Sequence, residues 1–528
     1  MLPFSVATRS ADLSRMAEDR FDVLVIGGGI TGVGIALDAV TRGFSVALVE
    51  KDDFAAGTSG RSSRLIHGGL RYLEHGEFGL VQESLRERAI LRQNAPHLVR
   101  PMPMYMLADD WRGRARYRAG LAAYAALAAG RNIGGYRAVS AADVRDAVPG
   151  FGGWSGGFRY WEGQADDARL TIEVARAAHA AGAVLANHAR VDGLLGGGRV
   201  TGATVVDEVT GQRLDISARV TVNATGVWAD RVRCLARGTD LSGDGQPRLV
   251  PSKGVHLVFA PGAIQTKAAL VVPSAAGDGR YLFVVPWEDR VYAGTTDTPY
   301  AGDLDHPAVD DADREYVLSA VARYFPAVTG HDVVASWAGL RPLLGPGQAA
   351  PGQAAQGQAA QGRAAKTADL SREHRIVRDL PGLFTITGGK LTTYRAMAQD
   401  LTDRIAGQLG ARGRCQTRRI PLGLHGAADA AVTLARAEAE MLGLPPRAGA
   451  RLVRRYGDDW REALAMIGRD RSLGEPAADG LPVLSVELEL ARSREMAITD
   501  EDVLVRRTRL TTRDTSAAVR SSGGSSGR

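Results

Sequence analysis

Gly27, Gly29 and Gly32 follow one another at the G-x-G-x-x-G spacing, with Gly28, Ile30 and Thr31 between them. The first glycine permits a tight turn, the second lets backbone approach a pyrophosphate, and the third lets a helix pack close to a strand. Phosphate oxygens placed there would meet the free N–H groups at the positive end of that helix. Glu50, about twenty residues further on, is an acid suited to ribose hydroxyls. A second stretch, GTSGRSSRLIHGGLRYL, gathers small hydroxyl residues, glycines, arginines and a histidine with little apolar periodicity. That composition suits a segment laid along a cofactor better than a helix packed on a sheet. Its candidates are Thr58, Ser59, Ser63, Arg64, Leu65, His67, Gly68 and Gly69. The two stretches point to dinucleotide binding.

Several elements must position these groups. FDVLVI is a short apolar run rich in β-branched residues, which predicts a buried parallel strand. A helix follows from about Thr31 to Arg42, with Gly43 placed to end it, and SVALVE makes the next strand. VTVNATG is another apolar strand, ending in a small-residue turn. GVHLVF, ALVVP, YLFVVPW and VYAGTT have the alternating pattern of an antiparallel sheet with one buried face. LFTITGGKLTTYRAMAQDLTDRIAGQLG reads as a strand, a glycine turn and a helix, and residues 415–512 read as mostly helical. Residues 1–20 are expected to be a flexible lead-in. The Gly, Gln, Ala and Pro repeat at 345–365 cannot build a packed core and is expected as a disordered loop, like the tail at 513–528.

At 528 residues the chain has room for two or three domains, and 45% apolar with 23% charged residues is ordinary for a soluble protein. The net charge of +6 is too modest to suggest nucleic-acid binding. Nearly all of the positive charge is arginine, from which no function is read. Cys234 and Cys415 lie far apart and fit neither a disulfide framework nor a metal pattern, as expected of reduced thiols in the cytoplasm. Residues 1–20 lack the apolar core of a signal peptide, and with no apolar run of eighteen residues no transmembrane helix is expected. The run WRGRARYRAGLAAYAALAAGRN sets arginines at 112, 114, 116 and 118 ahead of Leu121, Tyr124 and Leu127. It reads either as a core-packed helix with a solvated basic end or as an element resting on anionic lipid.

GGGITGVGIALDAVTRG and SSRLIHGGLRYLEHGEF resemble the FAD-dependent glycerol-3-phosphate dehydrogenase family. VNATGVWAD, KGVHLVF, GTTDTPY, AGLRPL and GGKLTTYRAMA follow in that family's order, so the resemblance runs from about Phe21 to Leu510. It implies an α/β + α architecture. An FAD-binding Rossmann-like domain of the two-dinucleotide-fold, glutathione-reductase type would carry an antiparallel-sheet substrate domain and a C-terminal helical domain. The FAD-binding segments would be about 21–100, 156–235 and 375–412, the substrate domain about 236–344 and the helical domain 413–512. The turn at Thr225 and Gly226 would pass the cofactor, which favours FAD over NAD.

The implied activity is oxidation of sn-glycerol 3-phosphate to dihydroxyacetone phosphate. A hydride passes from C2 to FAD N5, and the electrons go on to a membrane quinone at the cytoplasmic face of the plasma membrane. A homodimer is compatible with the resemblance. Carried over residue by residue, Arg71, Arg341 and Arg372 are candidates to grip the substrate phosphate, since a guanidinium binds its oxygens by two parallel bonds. Lys390, with Gly389, Leu391 and Thr392, would lie by the flavin and stabilise negative charge on the reduced ring. His256, Tyr72, Thr295 and Thr296 would line the substrate pocket. His256, Lys390 and Arg341 form the catalytic set. His256 is the first choice of proton acceptor, with His67 as its rival. Arg64 and Gly60 depart from the family, which usually has lysine and a hydroxyl residue there. Competing readings are an oxidase of the same family that reduces oxygen, an amine or amino-acid oxidase on the same fold, and a flavin- or NAD-binding module without turnover. No metal site is expected.

Overall fold

The strand Arg20–Ile26, buried from Phe21 onward and apolar from Val23, lies inside the first sheet. In the computed structural model, which describes residues 4–108, 110–153, 156–238, 249–345, 373–410 and 413–516, this strand lies between two parallel neighbours, Val46–Val49 and Arg213–Asn223. Val184–Ala186 and Leu383–Thr387 extend the sheet in parallel on either side. Strands so placed are covered on both faces, which accounts for their continuous apolar runs. Helices Ile30–Thr41, Asp167–Ala180 and Tyr394–Leu409 supply apolar cover. The helix at 167 is capped by Asp166, whose carboxylate accepts from the Arg169 N–H at 3.1 Å.

The expected flexible lead-in is a helix, Val6–Glu18. Its buried face holds Met16 among the strands, and Arg9 pairs with Asp207 at 2.5 Å. Asp12 accepts from the Leu185 N–H at 3.0 Å. These partners are far away in sequence, so the polar run looked unattached.

Among the described residues the second sheet has ten strands. Leu249–Phe259 and Val333–Leu344 pair antiparallel along their length, setting Trp337 opposite His256 and Arg341 opposite Ser252. Two expectations need correction. The sheet is mixed, because Ala269–Pro273 runs parallel to Arg100–Leu107. It also takes in Gly157–Gln164, expected in the nucleotide-binding fold, which pairs antiparallel with Arg100–Leu107 over eight residues. Phe158 and Tyr160 thereby enter the same apolar cluster as Met104 and Trp337, and the nucleotide-binding fold resumes only at Asp167.

Residues beyond 415 are mainly helical, with helices at Ala428–Met441, Pro446–Tyr456, Trp460–Arg469 and Ser485–Arg494. This part is fastened to the rest by buried arginines. Arg507 reaches both carboxylate oxygens of Asp53, at 2.5 and 2.9 Å, and Arg506 adds a bond of 2.7 Å. Arg509 bonds the Gly60 carbonyl at 2.9 Å and pairs with Asp166 and Asp167. Arg513, placed by expectation in the disordered tail, is fully buried against Glu288 and Asp289. Burial raises the pKa of Asp53, but Arg507 and Arg506 outweigh it and hold the carboxyl below its ordinary value. Asp53→Ala removes the carboxylate that two buried arginines share, leaving Arg507 only Glu495 at 3.9 Å, and is expected to cost about 3–5 kcal/mol, read as a lower urea midpoint. An unchanged midpoint would refute that role for the pairs. The repeat at 345–365, apart from residue 345, and the tail beyond 516 lie outside the described residues.

Candidate active site

A cleft of about 590 Å³ runs from the glycine turn to the second sheet. Gly27, Gly29, Ile30, Thr31 and Glu50 line its first end. Gly27 has φ +112°, and a Cβ there would lie 2.7 Å from the Ala224 carbonyl oxygen. A Cβ on Gly32 would meet the Gly27 carbonyl oxygen at 1.9 Å, so the helix seats on the turn only with glycine at that position. Gly32→Ala is therefore expected to abolish cofactor retention through overpacking of about 1–3 kcal/mol or more. The cofactor-to-protein ratio after purification checks this.

The loop groups organise the turn. Glu50 Oε2 accepts from the Gly28 N–H at 2.6 Å and its Oε1 from Asp52 N–H at 2.9 Å. Burial nevertheless pushes the pKa of this carboxyl up. Ser59 Oγ accepts from the Ile30 N–H at 2.9 Å, at the helix N-terminus where phosphate binding is favoured. Thr58 Oγ1 donates to the Leu340 carbonyl at 2.6 Å, which ties the loop to the second sheet. Ser63, Leu65 and His67 continue the wall, joined by Thr225, Gly226, Gly389, Leu391 and Thr392 from the ends of later strands. Gly28, Gly32, Gly68 and Gly69 lie behind that wall rather than in it. Gly60 is needed for space, because a Cβ there would lie 2.4 Å from the Ala55 carbonyl oxygen.

The far end brings together His256, Thr295, Arg341, Lys390 and Tyr72. The Arg341 guanidinium donates to Thr295 Oγ1 at 3.0 Å and to the Thr296 carbonyl at 3.2 Å, with Asp297 at 3.6 Å. It lies over Gly254, where a Cβ would approach its Nη2 to 2.6 Å. Lys390 Nζ stands 3.8 Å from the Tyr72 ring centre and donates to Ser84 Oγ at 3.4 Å. His256 is buried, with Nε2 2.9 Å from Ser63 Oγ. Burial, then the charges of Arg341 and Arg64, hold its pKa well below the ordinary imidazole value.

Three further expected site residues stand elsewhere. Arg64 does not reach the cleft. Its side chain lies in a cage of Trp287, Tyr292 and Trp337, on loop backbone at φ +56°. Thr296 is buried and bonds backbone, accepting from the Val255 N–H at 3.0 Å. Arg71 sits on the helical turn Leu70–His75, outside the cleft wall. Arg372 lies outside the described residues.

Sequence reasoning missed Ser63 as the histidine's partner and the aromatic residues stacked behind it. Alternating aromatics on strands signal a core, and nothing local separates these from any other core residues. Asp53, His188 and Asp502 bring acid and imidazole atoms within 4.8 Å of one another. Arg506 and Arg507 already neutralise those carboxylates, and the Asp502 hydrogen bond outweighs burial to raise the pKa of His188.

The family described as FAD dependent oxidoreductase matches residues 22–404, and the C-terminal domain of alpha-glycerophosphate oxidase matches 415–522. The mitochondrial glycerol-3-phosphate dehydrogenase SDP6 of Arabidopsis thaliana is 35% identical over 98% of this chain and 84% of its own length. Glycerol-3-phosphate dehydrogenase 2 of Mycobacterium tuberculosis is 38% identical over 96% of this chain and 83% of its own. The structure of the Bacillus halodurans glycerol-3-phosphate dehydrogenase complexed with FAD superposes with a TM-score of 0.76 at 32% identity, covering 97% of this chain and 90% of that one. An L-alpha-glycerophosphate oxidase from Mycoplasma pneumoniae, at TM-score 0.58 and 16% identity, shares the fold over 78% of this chain and all of its own.

Proposed function

The chain belongs to the FAD-dependent glycerol-3-phosphate dehydrogenase family, and from that premise we propose that it oxidises sn-glycerol 3-phosphate to dihydroxyacetone phosphate and delivers the electrons to a membrane quinone. The observation that carries this reading is the pairing of a buried imidazole with an oriented arginine at one end of a cleft whose other end is a dinucleotide turn. The residues present fit FAD. Gly27, Gly29 and Ile30 offer a close-approach turn for its pyrophosphate, Glu50 lies where a ribose would bind, and Lys390 follows the paired glycines 388 and 389.

When bound, FAD supplies the hydride acceptor. Arg341, fixed by Thr295 and the Thr296 carbonyl, holds the substrate phosphate and so orients C2. His256 Nε2 takes the hydroxyl proton as the hydride leaves. Bringing a doubly negative phosphate to Arg341 offsets one of the two charges that depress the imidazole, so the site's basicity rises when substrate arrives. Burial keeps water from competing for that proton.

The helix Trp111–Leu127 supports the membrane part of the reading. Arg112, Arg114, Arg116 and Arg118 are all exposed, Trp111 is 73% exposed, and Leu121 and Tyr124 anchor the other face. Among the described residues no helix is long and apolar enough to cross a membrane. At about 1 kcal/mol per arginine near an anionic surface, reversing all of these arginines to glutamate is expected to lower binding to phosphatidylserine vesicles at least about a hundredfold. Co-sedimentation at low salt checks this, and undiminished binding would move the contact elsewhere.

The match to an alpha-glycerophosphate oxidase domain gives a second reading, in which oxygen is the acceptor. An anaerobic mixing experiment separates them. Glycerol 3-phosphate should bleach the flavin band, and a soluble quinone should restore it faster than air. Rapid recovery in air makes the protein an oxidase. Yellow protein that does not bleach refutes the substrate.

A further inference from the structure

Among the described residues Arg64 has no hydrogen-bonding partner for any of its three guanidinium nitrogens, although its side chain is only 1% exposed. Its nearest carboxylate, Asp167 at 3.8 Å, is engaged by Arg509 and by the N–H and hydroxyl of Ser62. Three rings take the place of hydrogen-bond acceptors. The guanidinium carbon lies 3.6 Å from the Trp287 ring centre, 4.5 Å from Trp337 and 5.8 Å from Tyr292. A desolvated cation against aromatic faces is held by their quadrupoles, but it needs several rings to offset lost hydration.

Two of these rings, Trp337 and Tyr292, also flank His256. Its imidazole stacks on Trp337 with ring centres 4.7 Å apart and planes 13° apart, and Tyr292 meets its edge at 5.9 Å. Tyr292 donates its hydroxyl to the Ser63 carbonyl at 2.7 Å, and Ser63 Oγ holds His256 Nε2. Thus Arg64 and Ser63, consecutive in one loop, grip His256 by different routes, one through the indole and one directly.

We propose that Arg64 is a positioning residue for the proton transfer: caged by Trp287, Tyr292 and Trp337, it fixes the indole on which His256 stacks and lends the imidazole a standing positive neighbour. The inference rests on His256 being the proton acceptor. The consequence is an imidazole that stays uncharged and aimed until an anionic substrate enters. The charged and titratable groups facing His256 are Arg64 beside Ser63, Tyr292 on the neighbouring strand Arg290–Gly294, and Arg341 on the paired strand Val333–Leu344. Lys253, on the histidine's own strand, is neutralised by Asp310 and Asp313. Burial draws the Arg64 pKa down to about 10, which leaves it charged at neutral pH.

The test uses FAD-loaded enzyme labelled at histidine Cε1, with the His256 resonance assigned by its loss in His256→Gln. In Arg64→Met the titration midpoint of His256 should rise by about one unit or more, as removal of one neighbouring charge allows. Arg64→Lys, which keeps the charge, should leave it within about 0.3 unit of the wild type. A midpoint unmoved in yellow Arg64→Met protein overturns the proposal. If that variant yields no yellow protein, Trp337→Leu removes the shared ring and keeps the cation. It should then lower kcat at least about tenfold with KM changed less than about threefold, as lost orientation does. Unchanged kcat there overturns the proposal as well. His256→Gln turning over at the full rate would instead refute the underlying reading of the base, a failure distinct from an unmoved midpoint.

Discussion

His256→Gln is expected to lower kcat by about 10²- to 10⁴-fold while the purified protein stays yellow. Glutamine fills similar space and keeps a polar atom toward Ser63 Oγ, which now stands 2.9 Å from Nε2, so the loss isolates proton acceptance. The pH profiles carry a second signature. In the free enzyme the imidazole pKa is held low by burial, Arg341 and Arg64. The acid limb of kcat/KM should therefore lie below the ordinary imidazole range. The base works only unprotonated, so activity falls as pH drops through its pKa. Bound phosphate offsets Arg341, raises that pKa and places the acid limb of kcat at higher pH than the limb of kcat/KM. Coincident limbs would mean that the phosphate does not bind beside Arg341.

Arg341→Ala is expected to raise KM for glycerol 3-phosphate by about 10²- to 10³-fold, the loss of charge-assisted bonds worth about 1.5–3 kcal/mol each. Flavin content should not change, because Arg341 is positioned by Thr295 and the Thr296 carbonyl at the substrate end of the cleft. Steady-state kinetics with the flavin-to-protein ratio measured in parallel checks both halves. Colourless protein would contradict the phosphate role. Arg341→Lys should recover little, since an ammonium cannot span two oxygens in one plane.

The glycine turn, its strand and Glu50 were legible because their meaning is local: spacing, a buried run and an acid at the next strand's end. Lys390 beside its glycines was legible for the same reason, and the C-terminal helices followed from composition. Arg64 was not, since an arginine in a serine and glycine loop serves a phosphate cradle or an aromatic cage equally well. Which one holds it depends on strands more than two hundred residues away. Strand Gly157–Gln164 was assigned to the wrong sheet for a related reason, as its own pattern says strand but not which partner it takes. Nor could Arg506, Arg507 and Arg509 be read. Arginine in a polar helix reads as solvated unless its carboxylate is known, and here it lies at Asp53, Asp166 or Asp167.

Arg507 and Asp53 are 454 residues apart, and Asp53 sits on the loop that follows Glu50 in the cofactor cleft. On the ribosome the glycine turn and its helix emerge more than four hundred residues before the arginines that lock the adjoining loop. Stable flavin loading is then expected only once those arginines are made, and a nascent chain stalled before residue 506 should wash free of FAD. Chains that stop short of these arginines are expected to stay colourless and open to proteolysis.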